Sequence, residues 1–389
     1  MTVRVAFYID SLKTGGAERV TLRMAQWCRE AGHLPVVLTR RQARHDFYPL
    51  PEGVLREVEA PDPAWVAALG WLGFPWRVLT LRHWLRRNRI EIAIGMTTLP
   101  AIKLILAVWG LPLKCWISER NYPPAKPPSL PWRLLRWLTY RRADLHLVQT
   151  HQTGDWLRRH LGATPQLLLP NSVSWPLSSF APHVDPVTVL DPCLRQDDSG
   201  TAGPPPALLL AVGTKAFQKG FDRLVRAFAL IADDCPGLHL VIAGLTIKPY
   251  RGRDQVADLQ SLLPPSSAAM GRVHFPGVVG NIGDWYSACE MFILPSRFEG
   301  FPNVLLEAMA SGCACVACDC PTGPADLIRD GENGLLLPEA ASDLELANAI
   351  ITLHRDALLR RRLGQAAQHV REEFSDAQLA QRFVEALNG

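Results

Sequence analysis

A chain of 389 residues, 48% of them hydrophobic, is long enough for about two domains with substantial cores and too apolar for a disordered polymer. No run of 18 or more uninterrupted apolar residues occurs; the best stretch, 99–117, is broken by Lys103, Lys114 and Gly110-Leu111-Pro112, which argues against a membrane-spanning helix. The net charge of +4 is uneven. Residues 1–175 hold 24 Lys and Arg against 12 Asp and Glu, a balance of +12, and the remainder holds 17 against 25, or −8, so an acidic partner is expected for the first half alone.

The chain opens on a strand-like run at 3–9 with no signal-peptide pattern, which places it in the cytoplasm as an expectation. Thr14-Gly15-Gly16-Ala17-Glu18-Arg19 then turns into a helix on which Ala17, Val20, Met24 and Trp27 fall at helical spacing, with Gly32 as its stop. This turn is not a dinucleotide fingerprint, because the third glycine and the strand-end acid are missing; a plain tight turn is its simpler reading. Apolar strands are expected at 34–38, 90–94, 114–117 and 145–148 with helices between, the alternation of an α/β domain on a largely parallel sheet. Two segments, 71–89 and 131–142, mix Trp and Leu with Arg, as in Trp132-Arg133-Leu134-Leu135-Arg136-Trp137. Leu134, Trp137 and Leu138 can share a helical face flanked by arginines, which suits an anionic membrane surface; the plainer reading packs them inward. His33, His45 and His83 read as surface or helix residues. Nucleic acid fits poorly, since no recognition motif is present and the basic charge is confined to one half.

Seven prolines and an Asp197-Asp198-Ser199-Gly200 run make 174–206 a linker with a poorly ordered insertion. After it the architecture restarts: strands at 207–212, 238–243, 273–275, 291–294, 314–317 and 335–337, and a helix marked by Phe221, Leu224, Val225 and Phe228. The expected division is therefore 1–173, a linker at 174–206, a second domain at 207–374, and a C-terminal helix at 375–389 returning to the first. Two doubly wound, Rossmann-like domains facing each other would set a ligand cleft at the carboxyl ends of their strands. Cys313, Cys315, Cys318 and Cys320 resemble metal ligands superficially. On a short strand, however, the two pairs point to opposite faces, and small buried hydrophobes in a reducing compartment are the better reading.

The chemistry concentrates in two loops of the second half. Gly213-Thr214-Lys215-Ala216-Phe217-Gln218-Lys219-Gly220-Phe221-Asp222 follows a strand and opens a helix, a place where glycine admits an anion to the backbone and Lys219 supplies charge. Phe298-Glu299-Gly300-Phe301-Pro302-Asn303-Val304-Leu305-Leu306-Glu307 follows the apolar 291–294 run. It sets Glu299 in the loop before a helix and Glu307 within the helix, with Pro302 in the first turn and Gly312 at the stop. A helix N-terminus favours an anion, whereas adjacent carboxylates repel one. A ligand that is phosphate in one part and hydroxyl-rich in another, such as a nucleotide sugar, reconciles the two.

With these residues the chain resembles the family 4 retaining glycosyltransferases, the group 1 glycosyl transferases of bacterial surface-polysaccharide type, which have the GT-B fold of two Rossmann-like α/β domains. The resemblance covers nearly the whole length. It rests on Gly15-Gly16, on Gln218-Lys219-Gly220-Phe221-Asp222, on the Glu299/Glu307 pair, and on Gly323-Pro324 with 330–335. It implies that Glu299 is the catalytic residue at the donor-sugar hydroxyls and that Glu307 holds the ribose. It further implies that Lys219 binds the diphosphate with the backbone N–H groups of Asn303, Val304 and Leu305, that Gly300 and Phe301 line the donor, and that Gly15 and Gly16 complete the phosphate environment. No bound metal or cofactor is implied; the co-substrate is a nucleotide sugar, with UDP the expected nucleotide. Two departures stand out. Thr214, followed by Lys215, occupies the position of an arginine in many members, and Arg120 occupies the likely place of a histidine, where it can meet a phosphate but cannot act as a base. The implied function is retaining transfer of a hexose-type sugar to a hydroxyl of a lipid-linked saccharide or surface glycan, as in lipopolysaccharide synthesis, at the inner face of a membrane. Alternatives are a sugar phosphorylase, a soluble-sugar synthase, or a catalytically silent GT-B partner.

Overall fold

The computed structural model describes residues 2–13, 16–41, 46, 48–125, 127–194, 206–246 and 252–389, with backbone alone at 191–194. Gly15, His45 and the 195–205 part of the expected insertion lie outside the described residues. The chain divides into two compact units, Met1–Asn171 with Ala377–Gly389, and Ser172–Asp376.

Among the described residues the first unit holds a parallel sheet of β1 (Arg4–Ile9), β2 (Leu34–Thr39), β3 (Leu55–Val58), β4 (Ile92–Met96), β5 (Lys114–Glu119), β6 (Leu145–Val148) and β7 (Gln166–Leu168). Their order is β3-β2-β1-β4-β5-β6-β7. Both faces of β1 are covered, which is why it reads as an unbroken apolar run. Ala6 and Tyr8 enter one core, and Val5, Phe7 and Ile9 enter the other. The Gly16–Glu30 helix covers the second face with Met24, Ala25, Trp27 and Cys28, and carries Glu18 in its first turn and Arg29 in its last, matching its dipole. The Asp376–Asn388 helix adds Leu379, Phe383 and Leu387, one turn apart, to the same core. Phe383 stands 6.4 Å from Phe7, 6.1 Å from Trp27 and 6.1 Å from Trp116. His33, expected as a surface or helix residue, is neither: it is buried in the turn before β2, and Val3 N–H points at its Nδ1 at 3.3 Å.

The second unit repeats the plan with β8 (Ala207–Val212), β9 (Leu238–Ala243), β10 (Val273–Gly277), β11 (Met291–Leu294), β12 (Ala314–Cys318) and β13 (Leu335–Leu337). Their order is β10-β9-β8-β11-β12-β13, all parallel, so the winding reverses between β8 and β11. Along β12, Cys313 and Cys315 enter one core while Ala314 and Val316 enter the other. The described part of the expected linker, from Leu177 to Leu190, is packed on this unit. Leu177, Val184, Val189 and Leu190 pack onto the unit's core, and Asn281 clamps Val184 by accepting from its N–H and donating to its carbonyl at 3.0 Å each. These contacts make 177–190 a packed strap rather than a flexible tether.

Candidate active site

The reversal between β8 and β11 leaves a crevice at the carboxyl ends of neighbouring strands, where open α/β sheets seat ligands. Loops following β8, β11 and β12 meet there. Gly220 has φ +67°, and a side chain on it would press on the Pro295 carbonyl at the end of β11. Glycine is therefore required for the first loop to lie against the second. Two further bonds tie these loops: Arg297 N–H donates to the Gln218 carbonyl at 2.9 Å, and Gln218 Nε2 donates to the Phe298 carbonyl at 3.2 Å. Arg297 also grips Asp222 in a two-pronged contact at 2.7 Å each. Burial alone would raise the Asp222 carboxyl; the bonds and charge of Arg297, with Arg226, outweigh it and hold the group below the usual range.

This bracing brings the expected residues together. Lys219 Nζ lies 2.7 Å from Glu299 Oε1, and Ser296 Oγ donates to the same oxygen at 2.6 Å. Glu299 is 5% exposed. A Cβ at position 213 would lie 2.7 Å from Lys219 Cγ, so the glycine lets the lysine stem run across the loop toward the carboxylate. The far side is set by strained backbone. Thr322, buried and β-branched, has φ +70° and donates from its hydroxyl to the Glu299 carbonyl at 2.6 Å. Glu307 projects from the Asn303–Ala310 helix, where the buried Tyr286 hydroxyl reaches both its Oε2 at 3.4 Å and the Val304 carbonyl at 3.1 Å. Lys215 stands just before the short Ala216–Lys219 helix, and Gln255 fixes that loop by donating to the Thr214 carbonyl and accepting from Ala216 N–H.

Several expectations need correction. Pro302 is the residue before the helix rather than in its first turn. Its carbonyl accepts from Leu305 N–H at 2.9 Å, and the Phe301 carbonyl accepts from Asn303 N–H at 3.0 Å. Those two amides are thus committed locally, and Val304 N–H is the first-turn donor left among the described residues. Phe301 turns its ring into the core, 6.2 Å from Phe374, so only its backbone faces the loop. Arg120 is buried in the first unit, donating to Asn171 Oδ1 at 3.2 Å and reaching Met24 Sδ at 3.3 Å; burial pulls its pKa down to about 9. Its guanidinium is engaged by protein within the first unit. Gly16 opens the first helix of that unit. Beside Arg120, Glu119 is the residue sequence reading passed over: buried at the end of β5, it accepts from Thr98, Arg136 and Tyr140. Ser296, Thr322, Tyr286 and Gln255 were also missed. Ser296, a polar residue closing an apolar strand three positions before Glu299, carried the one readable signal.

Two parallel-sheet α/β units, the second with an ammonium and a carboxylate in contact at the loops of its switch point, give the architecture of a GT-B glycosyltransferase. The model for glycosyl transferases group 1 matches residues 206–356, and that for glycosyltransferase family 4 matches residues 14–174. The lipopolysaccharide core biosynthesis mannosyltransferase LpcC of Rhizobium leguminosarum bv. viciae is 31% identical over 76% of this chain and 74% of its own length. The chain belongs to the group 1, family 4 glycosyltransferases. It is also 25% identical, over 99% of its length and 100% of the other protein's, to N-acetylgalactosamine-N,N'-diacetylbacillosaminyl-diphospho-undecaprenol 4-alpha-N-acetylgalactosaminyltransferase of Campylobacter jejuni. To exopolysaccharide phosphotransferase SCO2592 of Streptomyces coelicolor it is 32% identical over 74% of this chain, but it spans only 27% of that protein. Among solved structures, Anabaena Alr3699/HepE in complex with UDP superposes with a TM-score of 0.75 at 20% identity, covering 99% of this chain and all of the other, a likeness of fold. No described helix is long and apolar enough to cross a membrane.

Proposed function

We propose that this glycosyltransferase moves a hexose-type sugar, with retention, from UDP to a hydroxyl of a lipid-linked saccharide or surface glycan. The observation that carries the reading is the Lys219–Glu299 contact of 2.7 Å at the β8/β11 reversal, with Glu307 on the helix that follows. An incoming diphosphate competes with Glu299 for the Lys219 ammonium, and the carboxylate so released turns to the sugar hydroxyls while Ser296 still orients it. Glu307 is suited to the ribose. Transfer breaks the bond from sugar C1 to the diphosphate oxygen and forms one from C1 to the acceptor oxygen. The acceptor proton passes to an oxygen of the departing diphosphate, whose charge Lys219 and the start of the Asn303–Ala310 helix stabilise without a metal. The UDP held by a neighbour of the same fold supports the donor, and the diphospho-undecaprenol acceptor in the name of the full-length relative supports a lipid-linked acceptor. A thermal-shift panel of nucleotide sugars, followed by turnover with the stabilising donor and a lipid-linked acceptor, tests it. UDP-sugars should stabilise the chain and yield a product with the donor's anomeric configuration. Stabilisation by none of them, or an inverted product, refutes the reading.

A further inference from the structure

Two cysteines meet at the far end of the helix that carries Glu307. Cys289 closes the Ile282–Ala288 helix, its N–H donating to the Trp285 carbonyl at 3.1 Å. Cys313 stands just before β12 and is tied to the end of the Asn303–Ala310 helix, its N–H donating to the Ala308 carbonyl at 3.0 Å. The two sulfurs are 3.5 Å apart. Both thiols also point at one acceptor, the Tyr286 carbonyl, which lies 3.4 Å from the Cys289 sulfur and 3.2 Å from that of Cys313. Cys315, two residues further along, turns its thiol to the Cys313 carbonyl at 3.4 Å instead. Cys313 is buried, whereas Cys289 is partly exposed and offers the approach from solvent.

The residue that both thiols address also belongs to the site. Tyr286 is buried, its ring 5.7 Å from that of Phe292, and its hydroxyl donates to the Val304 carbonyl at 3.1 Å and reaches Glu307 Oε2 at 3.4 Å. One end of Tyr286 thus receives the thiol protons while the other holds the carboxylate suited to the ribose. Sulfurs this close need about 1.5 Å of closure to bond. Closure takes both S–H donors from the Tyr286 carbonyl and draws together the ends of the Ile282–Ala288 and Asn303–Ala310 helices. The hydrogen bond with Cys313, and burial, hold the Cys289 thiol well above its ordinary pKa, so the pair rests as thiols and the first oxidative attack is slow. Once one sulfur is oxidised its partner is already in place, and the second step is intramolecular.

We propose that Cys289 and Cys313 form a reversible oxidation site whose disulfide weakens donor binding through Tyr286. A peroxide is the oxidant. The Cys289 sulfur attacks one peroxide oxygen, which breaks the O–O bond and gives a sulfenic acid and water. The Cys313 sulfur then attacks the Cys289 sulfur, and the sulfenic hydroxyl leaves with the Cys313 proton as a second water. The two thiols together give up two electrons, the peroxide takes them, and a small thiol reductant reverses the change. The effect on the donor rests on the placing of Glu307 at the ribose; formation of the disulfide does not.

The test treats the full chain with hydrogen peroxide and follows intact mass, peptide maps and UDP calorimetry before and after dithiothreitol. The parent should lose two hydrogens, with the new bond mapped to Cys289 and Cys313. UDP should then bind at least about fivefold more weakly until reduction restores it. By linkage, UDP should make the disulfide easier to reduce by the same factor. Cys289→Ala should bind UDP as the reduced parent does and show neither change. A disulfide between other cysteines, a gain of oxygen without loss of hydrogen, or equal UDP affinity in the two forms overturns the proposal. So does a Cys289→Ala variant that responds like the parent. A reduced chain that binds no UDP refutes the donor reading instead; the oxidation site is then decided by whether the mass loss and a shift in thermal midpoint both vanish in Cys289→Ala.

Discussion

Lys219 and Glu299 each have a second use for the contact they share. A carboxylate only 5% exposed is costly to keep charged without partners, and Lys219 and Ser296 supply them at 2.7 and 2.6 Å. The contact therefore holds the loop as well as presetting the site, and a single substitution disturbs both. In Lys219→Ala, UDP should bind about 1.5–3 kcal/mol more weakly by calorimetry. The same variant should lose a few kcal/mol of stability, up to about 3–5 kcal/mol, because Glu299 is left buried without its cation. Pairing it with Glu299→Gln separates these effects. The neutral amide removes the stranded charge, so the double variant should regain stability without regaining affinity. Glu299→Gln alone should lower kcat far more than it weakens UDP binding. Normal turnover in that variant, or unchanged UDP affinity in Lys219→Ala, removes the assigned roles.

The strands of the second unit carry a pH response of their own. His239 on β9 and His274 on β10 face each other, with Nδ1 to Nε2 at 3.0 Å and ring centroids 5.3 Å apart. One neutral ring donates to the other. Burial, then the neighbouring His274 and Arg272, pulls His239 down to about 4, and burial lowers His274. Both are depressed bases, so the unfolded chain takes up protons near pH 6.5 that the folded unit refuses. Stability from this pair is complete above that pH and is lost as pH falls toward 4. Denaturant midpoints for the parent should drop between about pH 7 and about pH 5 more steeply than for a His239→Phe, His274→Phe variant; equal slopes would assign the loss to other groups. Elements also explain what the sequence made legible. β11 and β12 are covered on both faces and show as plain apolar runs, and the loop motifs stand at strand ends. β3, with Arg56 and Glu57 on a sheet edge, offers no such run, and β7 is three residues long. The positive φ of Thr322 has no glycine to announce it. Burial of Arg136 depends on Glu119, a partner 17 residues earlier that helical periodicity cannot supply. Prolines in 174–194 pointed to a tether, whereas the clamp by Asn281 that makes them a strap lies 97 residues on from Val184.

At the scale of the whole molecule, the chain leaves the first unit at Asn171, builds the second, and spends its last residues, Ala377–Gly389, on the first again. The returning helix is not a surface ornament. Leu379, Phe383 and Leu387 are each 3% exposed or less, and Phe383 meets rings from the Gly16–Glu30 helix, β1 and β5 together. The first unit thus lacks part of its core until residues 377–389 have been made, while the second, Ser172–Asp376, has all of its described strands before that point. Truncating Phe383 to alanine leaves a cavity against Phe7, Trp27 and Trp116 and should cost about 3–5 kcal/mol. That loss belongs to one unit. In Phe383→Ala, tryptophan fluorescence from Trp27 and Trp116 should report unfolding at lower denaturant, while a second transition, followed by circular dichroism and raised by UDP, should keep its midpoint. A uniform shift of both transitions would mean that the two units unfold as one, and an unshifted fluorescence transition would mean that the helix adds nothing to the core it covers.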